Sequence, residues 1–311
     1  MAAVAVLVAT AVVANGSSQA EDTVKGESVV ALIGDSPYSD GQESAYRDTY
    51  IDEISGAASV AQVYHVGDTK AGGDCSDSWY AETRDLYNQF ADPFILTPGD
   101  NDWTDCHRAD NGSHVPTERL GAMRDAFYAT PGQTMGQRPL AVSYQESHPE
   151  NIRTRVQGVL VATVHVTGSQ NGLSPWDVPD PEGSQQKEFD SRMEANVDWI
   201  GDAFLRANNE NAPGVMLVMQ AEPTTGSAFL PIRNEIKDQA EAFGKPVLLV
   251  HGDEHKYEAE PGFAGVENLT RLEVCGNQAT EWLELSINTN DGAELFSWQR
   301  HNPHATCPGA D

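Results

Sequence analysis

Three aspartates, Asp35, Asp68 and Asp100, each follow a short apolar run, about thirty residues apart along the chain. Residues 29–33 run into Gly34-Asp35, residues 63–66 into Gly67-Asp68, and Phe94-Ile95-Leu96 into Pro98-Gly99-Asp100. A fourth run, residues 247–250, ends in His251-Gly252-Asp253-Glu254-His255. An apolar run that breaks into Gly-Asp has the pattern of a buried strand ending in a tight loop. In an open α/β sheet, ligands bind beyond the carboxyl ends of the strands. One such Gly-Asp is an ordinary turn; four in one chain form a set. If the strands are neighbours, the carboxylates converge and raise one another's pKa unless a cation compensates. A divalent metal site is the economical reading. His251, Asp253 and His255 add donors that suit zinc, iron or manganese.

The elements around these residues alternate. Strands are expected at 29–33, 60–66 and 93–97, with helices at 42–54, 78–90 and 116–128, the last opening on Pro116. Strands interleaved with helices give a mostly parallel α/β core. The texture then changes. Strands at 140–144 and 155–166 have no long helix between them and are expected to pair. Residues 168–184 form a Gly/Pro/Ser/Asn-rich loop containing Trp176, of a length that usually covers a site. A long amphipathic helix (187–207), a strand (214–219), a helix (230–243) and a strand (246–250) follow. Three strands are expected in the tail, at 269–274, 282–287 and 293–298. No repeat and no linker divides the body, so residues 27–302 are expected to form one domain.

The chain has 311 residues and a formal charge of −28, with 47 acids against 19 Lys and Arg. That balance argues against nucleic acid or an anionic membrane as partner, since both need a basic footprint. It also repels anionic substrates, so phosphate chemistry here needs local cations. Residues 1–20 resemble a signal peptide: an apolar run over 2–14, too short to span a bilayer, then a polar segment ending Ser18-Gln19-Ala20. The four cysteines fall into an early pair, Cys75 and Cys106, and a late pair, Cys275 and Cys307. In an exported protein they suggest disulfides Cys75–Cys106 and Cys275–Cys307, the second tying a tail at 303–311, although three connectivities are possible. No Cys-x-x-Cys spacing supports a zinc site. No other stretch is long and apolar enough to be a transmembrane helix.

The ordered set resembles the calcineurin-like metallophosphoesterases, whose pattern is Asp-x-His, Gly-Asp, Gly-Asn-His-Asp/Glu, a lone His after a strand, and Gly-His-x-His. The resemblance covers residues 29 to about 257. It implies a four-layer α/β/β/α sandwich with two mixed sheets and a two-metal site at the sheet edge. The implied chemistry is attack of metal-activated water on a phosphoester. Asp35 matches the first Asp, with Pro37 in place of its His and Tyr38 beside it. Asp68 matches the metal-bridging Asp. Asp100 stands for an Asn ligand and Asn101 for the catalytic His. Gln220 replaces the lone His, Asp253 the first His of the last motif, and His255 matches its second. The implied metal ligands are therefore Asp35, Asp68, Asp100, Gln220, Asp253 and His255. The oxygen-rich pocket of Asp100, Gln220 and Asp253 suits Mg²⁺, Ca²⁺ or Mn²⁺ better than zinc. The combination is similar to a divergent secreted branch of the family.

On this reading one or two divalent ions (Mn, Fe, Zn, Mg or Ca) activate water against a small phosphomono- or phosphodiester outside the cell. Asn101 and Tyr38 contact the substrate, and Trp103 walls the pocket. His251 or His165, each at a strand end, protonates the leaving group. His107, His114 and His148 fall in polar loops and are expected at the surface, and Glu188 and Glu194 on a solvated helix face. Asn196 and Trp199 are expected to be structural. A different class is also consistent with the missing histidines: a catalytically degenerate member that binds a ligand or partner. A carbohydrate- or Ca²⁺-binding surface protein rests only on the Trp176 loop and the acidity. There is no Gly-x-Ser-x-Gly elbow and no P-loop.

Overall fold

A computed structural model describes residues 25–57, 60–223, 226–277, 281–302 and 307. The expected signal peptide and most of the 303–311 tail lie outside them.

Two mixed sheets form the body. The first has the order β12-β11-β1-β2-β3 and the second β4-β5-β6-β7-β8-β10-β9. In the first, β1 (Glu27–Ile33), β2 (Val60–His65) and β3 (Phe94–Leu96) run parallel, and β11 (Trp282–Asn288) and β12 (Phe296–His301) add antiparallel strands. In the second, β6 (Val159–Thr163), β7 (Val215–Val218), β8 (Val247–His251) and β10 (Leu269–Glu273) run parallel. The antiparallel strands β4 (Ser143–Gln145), β5 (His148–Val156) and β9 (Glu258–Pro261) flank them.

Alternation along the strands shows how the layers stack. Val159 and Val161 of β6, with Leu248 and Val250 of β8, join the first sheet in one core. Leu160, Ala162, Val247 and Leu249, on the opposite face, pack on helices α5 (Ser184–Asn209) and α6 (Leu230–Phe243). β6, β7 and β8, buried on both faces, are apolar except at the terminal Thr163 and His251, as suits parallel strands under helices. After the short α1 (Asp40–Ala45), which buries only Gln42, the outer face of the first sheet is covered by α2 (Ile51–Gly56), α3 (Asp77–Tyr87) and α4 (Pro116–Phe127), which supply Ile51, Ile54, Tyr80, Leu86, Leu120, Met123 and Phe127 to the first core. The four-layer α/β/β/α sandwich follows.

Two expectations need correction. The single strand expected over 155–166 is two strands of a hairpin, β5 and β6, turning at Gln157-Gly158. Both turn residues have positive φ, 48° and 78°, the geometry of the tight turn that matches strand twist. The helix expected over 42–54 is interrupted by a π-turn at Tyr46–Tyr50. This places the buried Tyr46 hydroxyl 2.6 Å from Ser36 Oγ, in the loop that carries Asp35. Cys75 bonds Cys106 and Cys275 bonds Cys307. The first bridge ties the loop after β2 to the loop after β3, which carry Asp68 and Asp100.

Candidate metal centre

The acids converge because their strands do. β1, β2 and β3 are adjacent in the first sheet, and β8 ends opposite them in the second. Oxygens of Asp68, Asp100 and Asp253 all lie within 4.8 Å of one another. Asp35 joins them: its carboxylate accepts the Asp253 backbone N–H at 3.2 Å, and its Oδ1 lies 3.8 Å from His255 Nε2. Asp35, Asp68, Asp253 and His255 all have positive φ, between 47° and 82°. Such backbone costs energy for non-glycine residues and collects at functional sites. Gly99 and Gly252 make the approach possible. A Cβ on Gly99 would overlap Asp68 Oδ1, and one on Gly252 would overlap Asp35 Oδ2.

The electrostatics are unfavourable without a cation. Burial pushes the Asp35 carboxyl well above its ordinary range, and Asp253, Glu273 and Asp100 push it further. Asp68 is raised well above its range by burial, then by Asp100 and Asp35. Asp253 rises to about 7, through burial and then Asp100. Three acids with oxygens this close, with Asp35 next to Asp253 and His255, are the donor set a hard divalent ion takes. The residues fit the group.

The flanking side chains donate hydrogen bonds rather than add ligands. Asn101 donates through its backbone N–H to Asp68 Oδ1 and through its amide to Asp68 Oδ2, each at 3.0 Å. The Tyr38 hydroxyl is 3.1 Å from Asp68 Oδ2 and 3.2 Å from His255 Nε2. Burial, then Asp68 and Asp35, hold that phenol protonated. Gln220 differs from the ligand expected of it. Its Oε1 accepts the Gly168 N–H at 2.5 Å, which fixes the amide. Its NH₂ then faces Asp253 Oδ1 at 2.8 Å and Asp100 Oδ1 at 3.4 Å. It presents protons to the acids, not a lone pair to a metal.

Neither buried histidine presents a proton to the cluster. His165 Nδ1 meets Glu150 at 2.8 Å, while its Nε2 accepts from Trp103 Nε1 at 3.0 Å. Burial lowers its pKa to about 4. His251 Nδ1 donates to the Gly252 carbonyl at 2.8 Å, Arg271 is 3.2 Å from its Nε2, and burial lowers its pKa to about 3. Trp103 is buried and anchors His165, so it offers no wall to a ligand. His107 and His148 are buried too, against the surface placement expected. Glu188 is not solvated either: it pairs with the buried Arg192 at 2.7 Å.

Sequence reasoning undervalued two residues. Asp102 is fully buried and accepts from the backbone N–H groups of Gly99, Asp68 and Thr69 at 2.7–3.0 Å, so it shapes the loops rather than joining the acids. Ser169 hydrogen-bonds both Asp100 Oδ2 at 2.7 Å and Asp105 Oδ1 at 2.9 Å. It sits in a left-handed turn, Ser169-Gln170-Asn171, clamped by Arg192 onto the Asn171 carbonyl. Three successive non-glycine residues at positive φ have no sequence signal that would announce them.

A sandwich of two mixed sheets with acids from four strand ends at one edge defines the class: a layered α/β protein with a clustered-carboxylate candidate metal site. The model of the calcineurin-like phosphoesterases matches residues 28–257, and the chain belongs to that family, which makes it a phosphoester hydrolase. Among solved structures it is similar to the calcineurin-like phosphoesterase YfkN from Bacillus subtilis, at 10% identity and a TM-score of 0.45, over 92% of this chain and 93% of that one. No curated protein matches.

Proposed function

We propose that the chain hydrolyses small phosphomono- or phosphodiesters in a metal-dependent reaction outside the cytoplasm. The observation that supports this best is the convergence of Asp35, Asp68, Asp100 and Asp253, with His255, at one sheet edge. Those five residues would hold one or two divalent ions, Mn²⁺, Mg²⁺ or Ca²⁺ suiting the oxygen-rich set. Such ions, when bound, lower the pKa of water and stabilise phosphoryl charge.

The chain's own groups do the rest. The Asn101 amide, held beside Asp68, positions a phosphoryl oxygen. Tyr38, whose phenol burial and then Asp68 push up, offers its hydroxyl where an ester would meet the acids. Asp102 and Ser169 fix the loops that carry Asp68 and Asp100. Two disulfides support an oxidising compartment. Among the described residues no helix is long and apolar enough to cross a membrane.

The test is turnover of p-nitrophenyl phosphate and bis-p-nitrophenyl phosphate with added Mn²⁺, Mg²⁺, Ca²⁺ or Zn²⁺. Hydrolysis that chelator stops and Asp68→Ala abolishes supports the reading. No turnover with any ion defeats it. If the cation nonetheless binds, the result favours the second reading, a ligand-binding relative whose histidines gave way to Asn101 and Gln220.

A further inference from the structure

A cleft of about 250 Å³ opens between the loops after β1 and β2 and helix α3, lined by Tyr38 and by Thr69, the neighbour of Asp68. Sites for drug-sized ligands run from roughly 300 to 1,000 Å³, so this one suits a smaller group. Tyr38 belongs to both places: it lines the cleft, and its hydroxyl is 3.1 Å from Asp68 Oδ2. An ester whose phosphoryl group meets the acids can therefore run its alcohol past Tyr38 into the cleft.

The lining has a definite chemistry. Trp79 supplies a half-buried aromatic surface, and Asp40, Glu43 and Glu82 supply carboxylates. Lys70 also lines the cleft and brings a positive charge that its neutral partners do not cancel. It donates to the Gly73 and Asp74 carbonyls at 2.8 and 2.7 Å and sits 4.5 Å from the Trp79 ring centroid. Arg47 neutralises Glu43 at 2.6 Å. Among the described residues no cation pairs with Asp40 or Glu82, so the three carboxylates, set against Lys70 and Arg47, leave the cleft with a net charge of −1. An alkylammonium is attracted there by the carboxylates of Asp40 and Glu82, with Trp79 as an apolar wall; a carboxylate or second phosphate is repelled.

We propose that this cleft is the leaving-group subsite and that it selects esters whose alcohol carries an alkylammonium group; the inference rests on the hydrolytic reading above. In the reaction the phosphorus–oxygen bond to that alcohol breaks and a new one forms to the oxygen of water. One proton of the water leaves with the alcohol and the other stays on the phosphate that a monoester releases.

The experiment compares kcat/KM, with Mn²⁺, for O-phosphoethanolamine, glycerol 3-phosphate and 3-phosphoglycerate, whose alcohol moieties are cationic, neutral and anionic. The expected order is cationic, then neutral, then anionic. Glu82→Gln and Asp40→Asn should each lower the ratio of the first to the second by up to about fivefold, the scale of one exposed charge pair. A ratio unchanged in both variants, or a preference for the anionic ester, overturns the proposal. Loss of turnover on p-nitrophenyl phosphate as well would show that the hydrolytic reading has failed. The cleft is then judged by binding alone. Ethanolamine should perturb tryptophan fluorescence at lower concentration than glycerol, an edge that Glu82→Gln reduces and Trp79→Phe removes. Equal response to the two compounds overturns the proposal on that arm.

Discussion

Removing the cation should leave a protein that loses stability as the medium turns alkaline. Asp35 and Asp68 are raised well above the ordinary carboxylate value of 3.8, by burial first and then by the other acids. An acid with a folded pKa above its unfolded one binds more protons folded than unfolded. Its contribution is present at low pH and is lost as pH rises through the folded value. Each proton so held makes stability fall by about 1.4 kcal/mol per pH unit. Across pH 6.5 to 7.5 the two acids therefore lower stability as pH rises, and Asp253, raised to about 7 by burial and then Asp100, adds to the fall. The window matters. His65, His165 and His251 are lowered by burial to about 4, 4 and 3, so they add stability with rising pH, but only up to their ordinary 6.5. Glu273, raised to about 8 mainly by burial, adds a downward slope of its own that no cation at the cluster removes. The assay is urea unfolding between pH 6.5 and 7.5, with chelator and with Mn²⁺. The chelated chain should lose stability across that window, Mn²⁺ should remove the cluster's share, and Asp68→Asn in chelator should flatten the slope. A chelated chain with flat or rising stability, or one whose slope ignores both Mn²⁺ and Asp68→Asn, would refute the claim that these acids need a cation.

The other predictions follow from single contacts. His165→Ala should destabilise by about 3 kcal/mol, because it leaves buried Glu150 and the Trp103 N–H short of a partner. Its pH–rate profile should keep its shape; loss of one limb without loss of stability would return His165 to the role of acid. Gln220→His should restore a nitrogen ligand and raise zinc content relative to manganese after exposure to both, read by elemental analysis. Gly252→Ala, whose Cβ would overlap Asp35, should weaken Mn²⁺ binding by about ten- to a hundredfold by titration calorimetry. Asn101→Ala should cut kcat by about a hundredfold with little change in melting temperature.

The acids were legible in the sequence because one physical rule generates them: a buried strand that must stop at a ligand edge ends in Gly-Asp, and the strand order does the gathering. The doubly buried strands were legible for the same reason, since β6, β7 and β8 carry no polar residue along their length except the terminal Thr163 and His251. What escaped was set by hydrogen-bond direction and by backbone sign, neither of which has a composition. His165 follows a strand and His251 ends one, much as the acids do, yet each is satisfied on both nitrogens by groups outside the acid cluster. Gln220 holds the place of a ligand, but one backbone N–H, from Gly168, is enough to point its amide the other way. The two amides reveal what the substitutions do. Asn101 and Gln220 stand where the resemblance puts histidines, and both direct N–H groups at the carboxylates. Neutral donors relieve part of the repulsion among Asp35, Asp68, Asp100 and Asp253 but supply no net positive charge. The demand for a cation survives the loss of the histidines, while the preference among cations moves toward those that favour oxygen.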